Sequence, residues 1–225
     1  MAADRATDAI DAAKTAAGTA AAEGYDARAE LLAEVLGRRV EPGDPDRRVI
    51  EAWADGVTGS ILDVGSGTGR WAGHLAQLGH TVEGLEPAGR FVEMARRAFP
   101  AVPFRHAAVS DLAASDERWG GVLAWYSLIH MDAHELPGAL NTVRRVLDDG
   151  GRLLMSFFTG PRYEPVTHPA TTAYLWPVDD MRAALRRAGF EVTGQHTNPG
   201  APHAVITARA AAPSTQPTGH DTLVT

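Results

Sequence analysis

ILDVGSGTG occupies residues 61–69. An apolar pair, Ile61 and Leu62, runs through Asp63 into three glycines at alternate positions, Gly65, Gly67 and Gly69. An apolar run that ends in glycines reads as a buried strand turning into a helix. Glycines at this density remove side chains, so a ligand can approach backbone N–H groups at the mouth of a helix. The dinucleotide fingerprint is G-x-G-x-x-G. Here the sixth position is Arg70 and the third glycine comes one residue early.

Working outward from the loop, strand and helix patterns alternate. SILDVG, HTVEGLEP, VPFRHAAV, GGVLAWYS and RLLMSFF read as strands; GRWAGHLAQLG, GRFVEMARRAF and DAHELPGALNTVRRVL read as helices between them. In the last helix Asp132 is a plausible N-cap with Glu135 three residues later, and Leu136, Leu140, Val143 and Leu147 form an apolar stripe. Nearly continuous apolar strands separated by helices imply an α/β fold with a parallel sheet covered on both faces. Upstream, YDARAELLAEVLG places Leu31, Leu32, Val35 and Leu36 on one helical face, and RRVIEAWADG turns Val49, Ile50 and Trp53 inward. VDDMRAALRRAG is a further helix, and FEVTGQH and PHAVITARA are the last strands. Residues 1–24 are alanine-rich and read as a flexible N-terminal segment; residues 25–210 form a single domain; 211–225 read as a disordered tail. Within the domain, 159–177 is a proline- and aromatic-rich insertion.

Composition narrows the function. The 225 residues suit one domain with a sizeable core, and the 44% hydrophobic fraction is ordinary for a soluble chain. There is no cysteine, which excludes a thiolate zinc site and a cysteine nucleophile. The net charge of -7, with Lys14 as the only lysine, disfavours a phosphate backbone as partner, so no nucleic acid is expected. No secretory signal and no membrane-spanning run are legible, and a cytoplasmic protein is the default. No helical histidine pair suggests a metal.

ILDVGSGTG, VEGLEPA, GVLAWYSLIHM and VLDDGGRLLMSFF, in that order, resemble the class I S-adenosylmethionine-dependent methyltransferases, most nearly the small-molecule enzymes related to ubiquinone-biosynthesis methyltransferases. The resemblance covers about residues 55 to 158, and AGFEV extends it. It implies a Rossmann-like three-layer sandwich with a mostly parallel seven-stranded sheet, the last strand antiparallel and inserted before the sixth. It implies that Gly65, Ser66, Gly67 and Gly69 cradle the methionine part of S-adenosylmethionine and that Glu86 takes the ribose hydroxyls. Asp63 would orient the loop or accept from the ligand ammonium. Adenine would pack between Pro87 and the loop carrying Val109, where Ala108 replaces the acid of many relatives, leaving Ser110, Asp111 or backbone to meet the exocyclic amine. Trp71 opens the first helix beside Arg70, which either pairs with the cofactor carboxylate or is solvated. Tyr25 either caps the cofactor or packs on its helix. Tyr126 and Ser127, at the fourth strand's exit, would touch the cofactor.

Transfer of an activated methyl group requires alignment and exclusion of water. A hydroxyl, phenol or amine acceptor must also lose a proton, for which histidine suits neutral pH. His130 is the candidate general base, with a packing role as the alternative. Met131, Phe158, Tyr163, His168 and His203 are candidate contacts to a small-molecule acceptor beneath the insertion. Two other functions fit parts of the pattern. An NAD-dependent oxidoreductase is disfavoured by the early third glycine and by the impossibility of a Tyr-x-x-x-Lys pair. A non-catalytic cofactor-binding module would keep the loop and Glu86 without turnover. Oligomeric state is not legible.

Overall fold

A computed structural model describes residues 20–198 and 200–211. The expected flexibility of 1–19 and of 212–225 falls outside the described residues. Residues 20–24, read from sequence as flexible, belong to a helical segment at 20–27.

Seven strands form one sheet in the order β3-β2-β1-β4-β5-β9-β8. The strands are β1 (Ile61–Val64), β2 (Val82–Glu86), β3 (Phe104–His106), β4 (Trp119–Trp125), β5 (Leu147–Phe158), β8 (Phe190–Thr197) and β9 (His203–Ala210). The first five pair in parallel, and β9 runs antiparallel between β5 and β8. This is the expected fold class. Its helices are α1 (Ala29–Leu36), α2 (Arg47–Ala54), α3 (Arg70–Gln77), α4 (Gly89–Ala98), α5 (Leu136–Val146) and α6 (Val178–Arg187). Within the insertion, β6 (Glu164–Thr167) and β7 (Thr172–Leu175) form a separate hairpin.

Alternate residues of each central strand feed two cores. Leu62, Val64, Val122, Ala124, Leu153 and Met155 pack on one face; Ile61, Leu123, Trp125 and Leu154 pack on the other. Both faces are dry, so the strands read as continuous apolar runs rather than alternating ones. Strand order reverses between β1 and its neighbours β2 and β4, which opens a crevice at the carboxyl ends of these strands.

Two local expectations need correction. On α1 the buried residues are Ala29, Leu32 and Ala33, whereas Leu31, Val35 and Leu36 are exposed. The alanines let α1 approach Phe91 and Met94 of α4 closely, and the larger side chains are left outside. Val49 likewise faces outward, while Ile50 and Trp53 are buried. The capping box at Asp132 forms, but one turn before α5. The Asp132 N–H donates to Glu135 (3.1 Å) and the Glu135 N–H donates to Asp132 (2.9 Å).

Candidate active site

The crevice holds a cavity of about 740 Å³, within the range of ordinary ligand sites. Its floor is the glycine loop. Gly65 has φ 66°, and a Cβ there would lie 2.4 Å from the Ser127 Cβ, so only glycine permits the exit of β4 to cross the loop. Gly67 has φ 55° and, among the described residues beyond its chain neighbours, no atom within 4 Å of its would-be Cβ, although it lines the cavity. Gly65 is thus required by packing, and Gly67 leaves room for something other than protein. Gly69 does not line the cavity; it packs on Phe104 and Ala95 beneath it.

Two buried carboxylates hold this floor. Glu86, at the end of β2, accepts from the Gly67 N–H (2.8 Å) and the Ala88 N–H (2.7 Å). It ties the loop to the start of α4 and keeps a lone pair on each oxygen for ligand hydroxyls. Burial pushes its carboxyl up to about 7. Asp63 accepts from the Ala72 N–H (3.2 Å), satisfying an otherwise unpaired donor in the first turn of α3. Burial, reinforced by the Glu86 charge, pushes Asp63 up to about 7 as well. Of its two expected roles, orienting the loop is the one visible here. Arg70 is not solvated: it pairs with Asp44 (2.6 Å) and lies over the Trp71 ring at 4.6 Å.

Pro87, Val109 and Ser110 line the wall beside Glu86. Asp111 does not. Its carboxylate accepts from the Ala108 N–H (2.8 Å) and caps the short 3-10 turn Val109–Ala114, so it turns back on its own backbone rather than into the cavity. On the opposite wall α5 contributes Gly138, Ala139 and Thr142, which the sequence did not single out. Gly138 also has open space where a Cβ would stand.

The far end is aromatic and histidine-rich. Tyr126, Ser127, Phe158, His130, Met131, His168 and His203 all line it. Tyr163 does not; it stacks on Tyr174 at 5.5 Å, lies 4.7 Å from Trp176, and its hydroxyl accepts from the Ala133 N–H (3.2 Å) on the outer side of the hairpin. The hairpin tip is stitched to the rest by β7. The Tyr174 N–H donates to the Ile129 carbonyl (2.9 Å), and His130 Nδ1 donates to the Thr172 carbonyl (2.7 Å). The helical N-terminus closes the mouth. Ala21, Ala22 and Tyr25 line the cavity, Arg28 donates to the Pro169 carbonyl, and Tyr25 packs on Phe91 at 5.7 Å. The Tyr25 hydroxyl meets His130 Nε2 at 2.9 Å. Burial, reinforced by the charge of Glu86, pushes the Tyr25 hydroxyl above its ordinary range, so it stays protonated and donates.

The other histidines differ in partner. His168 Nδ1 accepts from the Ala170 N–H (3.3 Å). Burial and the neighbouring His130, 4.8 Å away, push its imidazole down to about 4. His203 Nδ1 lies 2.9 Å from the Tyr126 hydroxyl, and the two rings meet edge to face at 5.5 Å. Tyr126 has φ 50°, the one positive value outside glycine among the described residues, and its N–H donates to Ser156 Oγ (2.8 Å). Sequence reasoning also missed Asp46, which accepts from the Trp125 indole (3.0 Å) beside this cluster. Among the described residues no group of three possible ligands could hold a metal ion, and no helix is long and apolar enough to cross a membrane.

The site accommodates S-adenosylmethionine: a loop with room above Gly67, a buried carboxylate with free lone pairs at Glu86, and the buried Ser127 Oγ, which lacks a partner among the described residues. Comparison with known proteins agrees. Residues 61–151 match the family model of a methyltransferase domain. A 2-heptyl-1-hydroxyquinolin-4(1H)-one methyltransferase of Mycobacteroides abscessus is 28% identical over 68% of this chain and 75% of its own length. Demethylmenaquinone methyltransferase of Tropheryma whipplei is 32% identical, but over 48% of this chain and 46% of its own length. Among solved structures, the Burkholderia thailandensis 1,6-didemethyltoxoflavin-N1-methyltransferase, with 1,6-didemethyltoxoflavin and S-adenosylhomocysteine bound, superposes with TM-score 0.64 at 23% identity over 82% of this chain and 87% of its own. The [4+2]-cyclase SpnF superposes with TM-score 0.70 at 19% identity over 84% and 94%. These last two show the fold, and the cyclase shows that the fold alone does not dictate the reaction. The family model over residues 61–151, the named relatives and the glycine-loop site agree in supporting a class I S-adenosylmethionine-dependent methyltransferase.

Proposed function

We propose that the protein methylates a small heteroaromatic acceptor bearing an ionisable O–H or N–H. The observation that carries this reading is the continuity of the 740 Å³ cavity, from the glycine loop and Glu86 at one end to Tyr126, Phe158 and the three histidines at the other. The cavity lining as a whole is mostly apolar, and its far wall sets aromatic rings beside a few convergent polar groups, the pattern of a site for a small organic ligand. The Mycobacteroides abscessus relative is named for a hydroxyquinolone and the Burkholderia thailandensis structure for a didemethyltoxoflavin. Both are compact ring systems of the kind this wall would accept.

The cofactor supplies a methyl group already activated on a sulfonium. The open surface of the glycine loop and the carboxylates of Asp63 and Glu86 would hold its amino-acid and ribose parts, and Pro87, Val109 and Ser110 would flank its base. Ser127 sits where the loop and the β4 exit cross, next to the Tyr126 ring on the cavity wall. Tyr25, His130 and the hairpin tip exclude water from the reacting atoms. Phe158 and Met131 supply the apolar walls against which an acceptor ring stacks.

The test is product mass after incubation with S-adenosylmethionine and a panel of hydroxyquinolines of graded acidity, including 2-heptyl-1-hydroxyquinolin-4(1H)-one. A gain of one methyl on any member is the expected result. Binding of S-adenosylhomocysteine without methylation of any member would reject the acceptor class. Failure to bind either cofactor form would reject the site assignment.

A further inference from the structure

Three histidines line the acceptor end, and their hydrogen bonds assign them different chemistry. A neutral imidazole has one N–H and one lone pair, and only the lone pair can take a proton. A partner that can only donate or only accept fixes which nitrogen is which. His130 Nδ1 faces a carbonyl, so its N–H is there, and its Nε2 lone pair is taken by the Tyr25 hydroxyl. His168 Nδ1 faces a backbone N–H, so its lone pair is there and Nε2 carries the hydrogen. Neither can take a proton from an acceptor without breaking a bond that closes the cavity.

His203 is different. Its Nδ1 faces a hydroxyl oxygen, which can accept, and its Nε2 has no hydrogen-bond partner among the described residues. With Nδ1–H donating to the Tyr126 oxygen, Nε2 presents a lone pair in the cavity. Its place suits the task. Ser127 lies against Gly65, Tyr126 precedes it on the strand side, and the Tyr126 ring touches His203, so only Tyr126 and Ser127 separate this imidazole from the glycine loop. It also lies 5.5 Å from the Phe158 ring, on the apolar wall. The titratable and charged groups around it are Tyr126, the nearby carboxylate of Asp46, Arg70 held by Asp44, and His168 across Phe158. Asp46 is the group that would stabilise an imidazolium.

We propose that His203 Nε2 is the proton acceptor of the reaction, with Tyr126 as the residue that orients it. This rests on the heteroaromatic reading above. The acceptor's O–H or N–H bond breaks first, and the oxygen or nitrogen anion so formed makes the new bond to the methyl carbon. The electron pair of the broken carbon–sulfur bond stays on sulfur, and the proton passes to His203 Nε2 and then to water. His168, with its hydrogen on Nε2, donates to the acceptor and orients it. His130 is left to hold the hairpin and the N-terminal helix together.

The experiment reads the acceptor's ionisation without turnover. The hydroxyquinoline panel is titrated into the protein saturated with S-adenosylhomocysteine, at a pH one unit below each compound's own ionisation, and the anion's absorption band is recorded. The wild type should show most of the bound compound as anion. His203→Gln should bind S-adenosylhomocysteine as the wild type does but lose the band at least tenfold, and its methylation rate should fall most for the least acidic members. If His203→Gln fails to bind S-adenosylhomocysteine, Tyr126→Phe replaces it and should weaken the band. An undiminished band in these variants, or a band lost only in His130→Gln, overturns the assignment. No binding of any panel member by the wild type overturns the acceptor class and the base with it, whereas a bound but un-ionised compound in the wild type overturns the base alone.

Discussion

Glu86 should release a proton when the cofactor binds. Its carboxyl is pushed from 4.5 up to about 7 by burial, against the opposing effect of two backbone N–H donors. The folded state therefore favours the protonated acid, and this group's destabilising contribution grows as pH rises from about 4.5 through 7; a change of that size corresponds to about 3 kcal/mol. Ribose hydroxyls donating to the two remaining lone pairs favour the ionised form and bring the value back down. At pH 6.5, an apo value of about 7 leaves the group about three-quarters protonated, so binding should release roughly that fraction of a proton. The assay is calorimetric titration with S-adenosylhomocysteine in two buffers of different ionisation enthalpy, where released protons appear as a buffer-dependent heat. Glu86→Gln should remove that dependence and weaken binding. Asp63, also near 7, is separated by Asp63→Asn, which should keep the Glu86 share. Heats independent of buffer in the wild type, or unchanged in Glu86→Gln, would refute the assignment of Glu86 to the ribose.

Three further outcomes follow from the glycines. Gly67→Ala should stay folded at a cost of about 1–2 kcal/mol for its left-handed backbone, yet lose at least tenfold in S-adenosylhomocysteine affinity; unchanged affinity would mean that no ligand lies against Gly67. Gly65→Ala should lose more stability, because its Cβ would meet Ser127 at 2.4 Å, as urea denaturation would show. Gly73→Ala in α3 should destabilise by about 1–3 kcal/mol by overpacking against Phe99, at 2.3 Å, even though alanine is the better helix former. A raised urea midpoint would show that Phe99 gives way.

The nucleotide half of the site was legible because its constraints are local. Gly65, Gly67, Glu86 and Pro87 act within a few residues of a strand end, and strand ends are what hydrophobic patterning marks best. Of the acceptor half, most residues were legible but their arrangement was not. Its members come from the exit of β4, the tip of the hairpin, the start of β9 and the N-terminal helix, and no spacing within the chain encodes their meeting. His130, His168 and His203 were each singled out for position; the bonds that distinguish them involve Thr172, Ala170, Tyr25 and Tyr126, which only the fold brings near. The face of α1 was misjudged for a related reason. Patterning weights large side chains, whereas the contact with α4 is made by Ala29 and Ala33 because their smallness permits close approach. Asp111 and Tyr163 are chemically apt, but each is taken by a neighbouring backbone N–H outside the cavity.

Tyr126 joins the two halves. A left-handed backbone at a non-glycine residue costs on the order of 1–2 kcal/mol and persists only where its surroundings impose it. Here its N–H is taken by Ser156 Oγ and its hydroxyl by His203, while the next residue is pressed on Gly65. Relaxing Tyr126 to an ordinary strand conformation would lift Ser127 from the loop and swing the phenol away from His203. The strain therefore couples the position of the glycine loop to that of the imidazole. Asn is far better tolerated than an aromatic in this conformation. Tyr126→Asn should accordingly relieve strain and lose the link to His203 together, giving a protein that handles the acceptor's proton poorly. A Tyr126→Asn variant with an intact anion band would separate the backbone strain from the proton-transfer role and leave the strain serving packing alone.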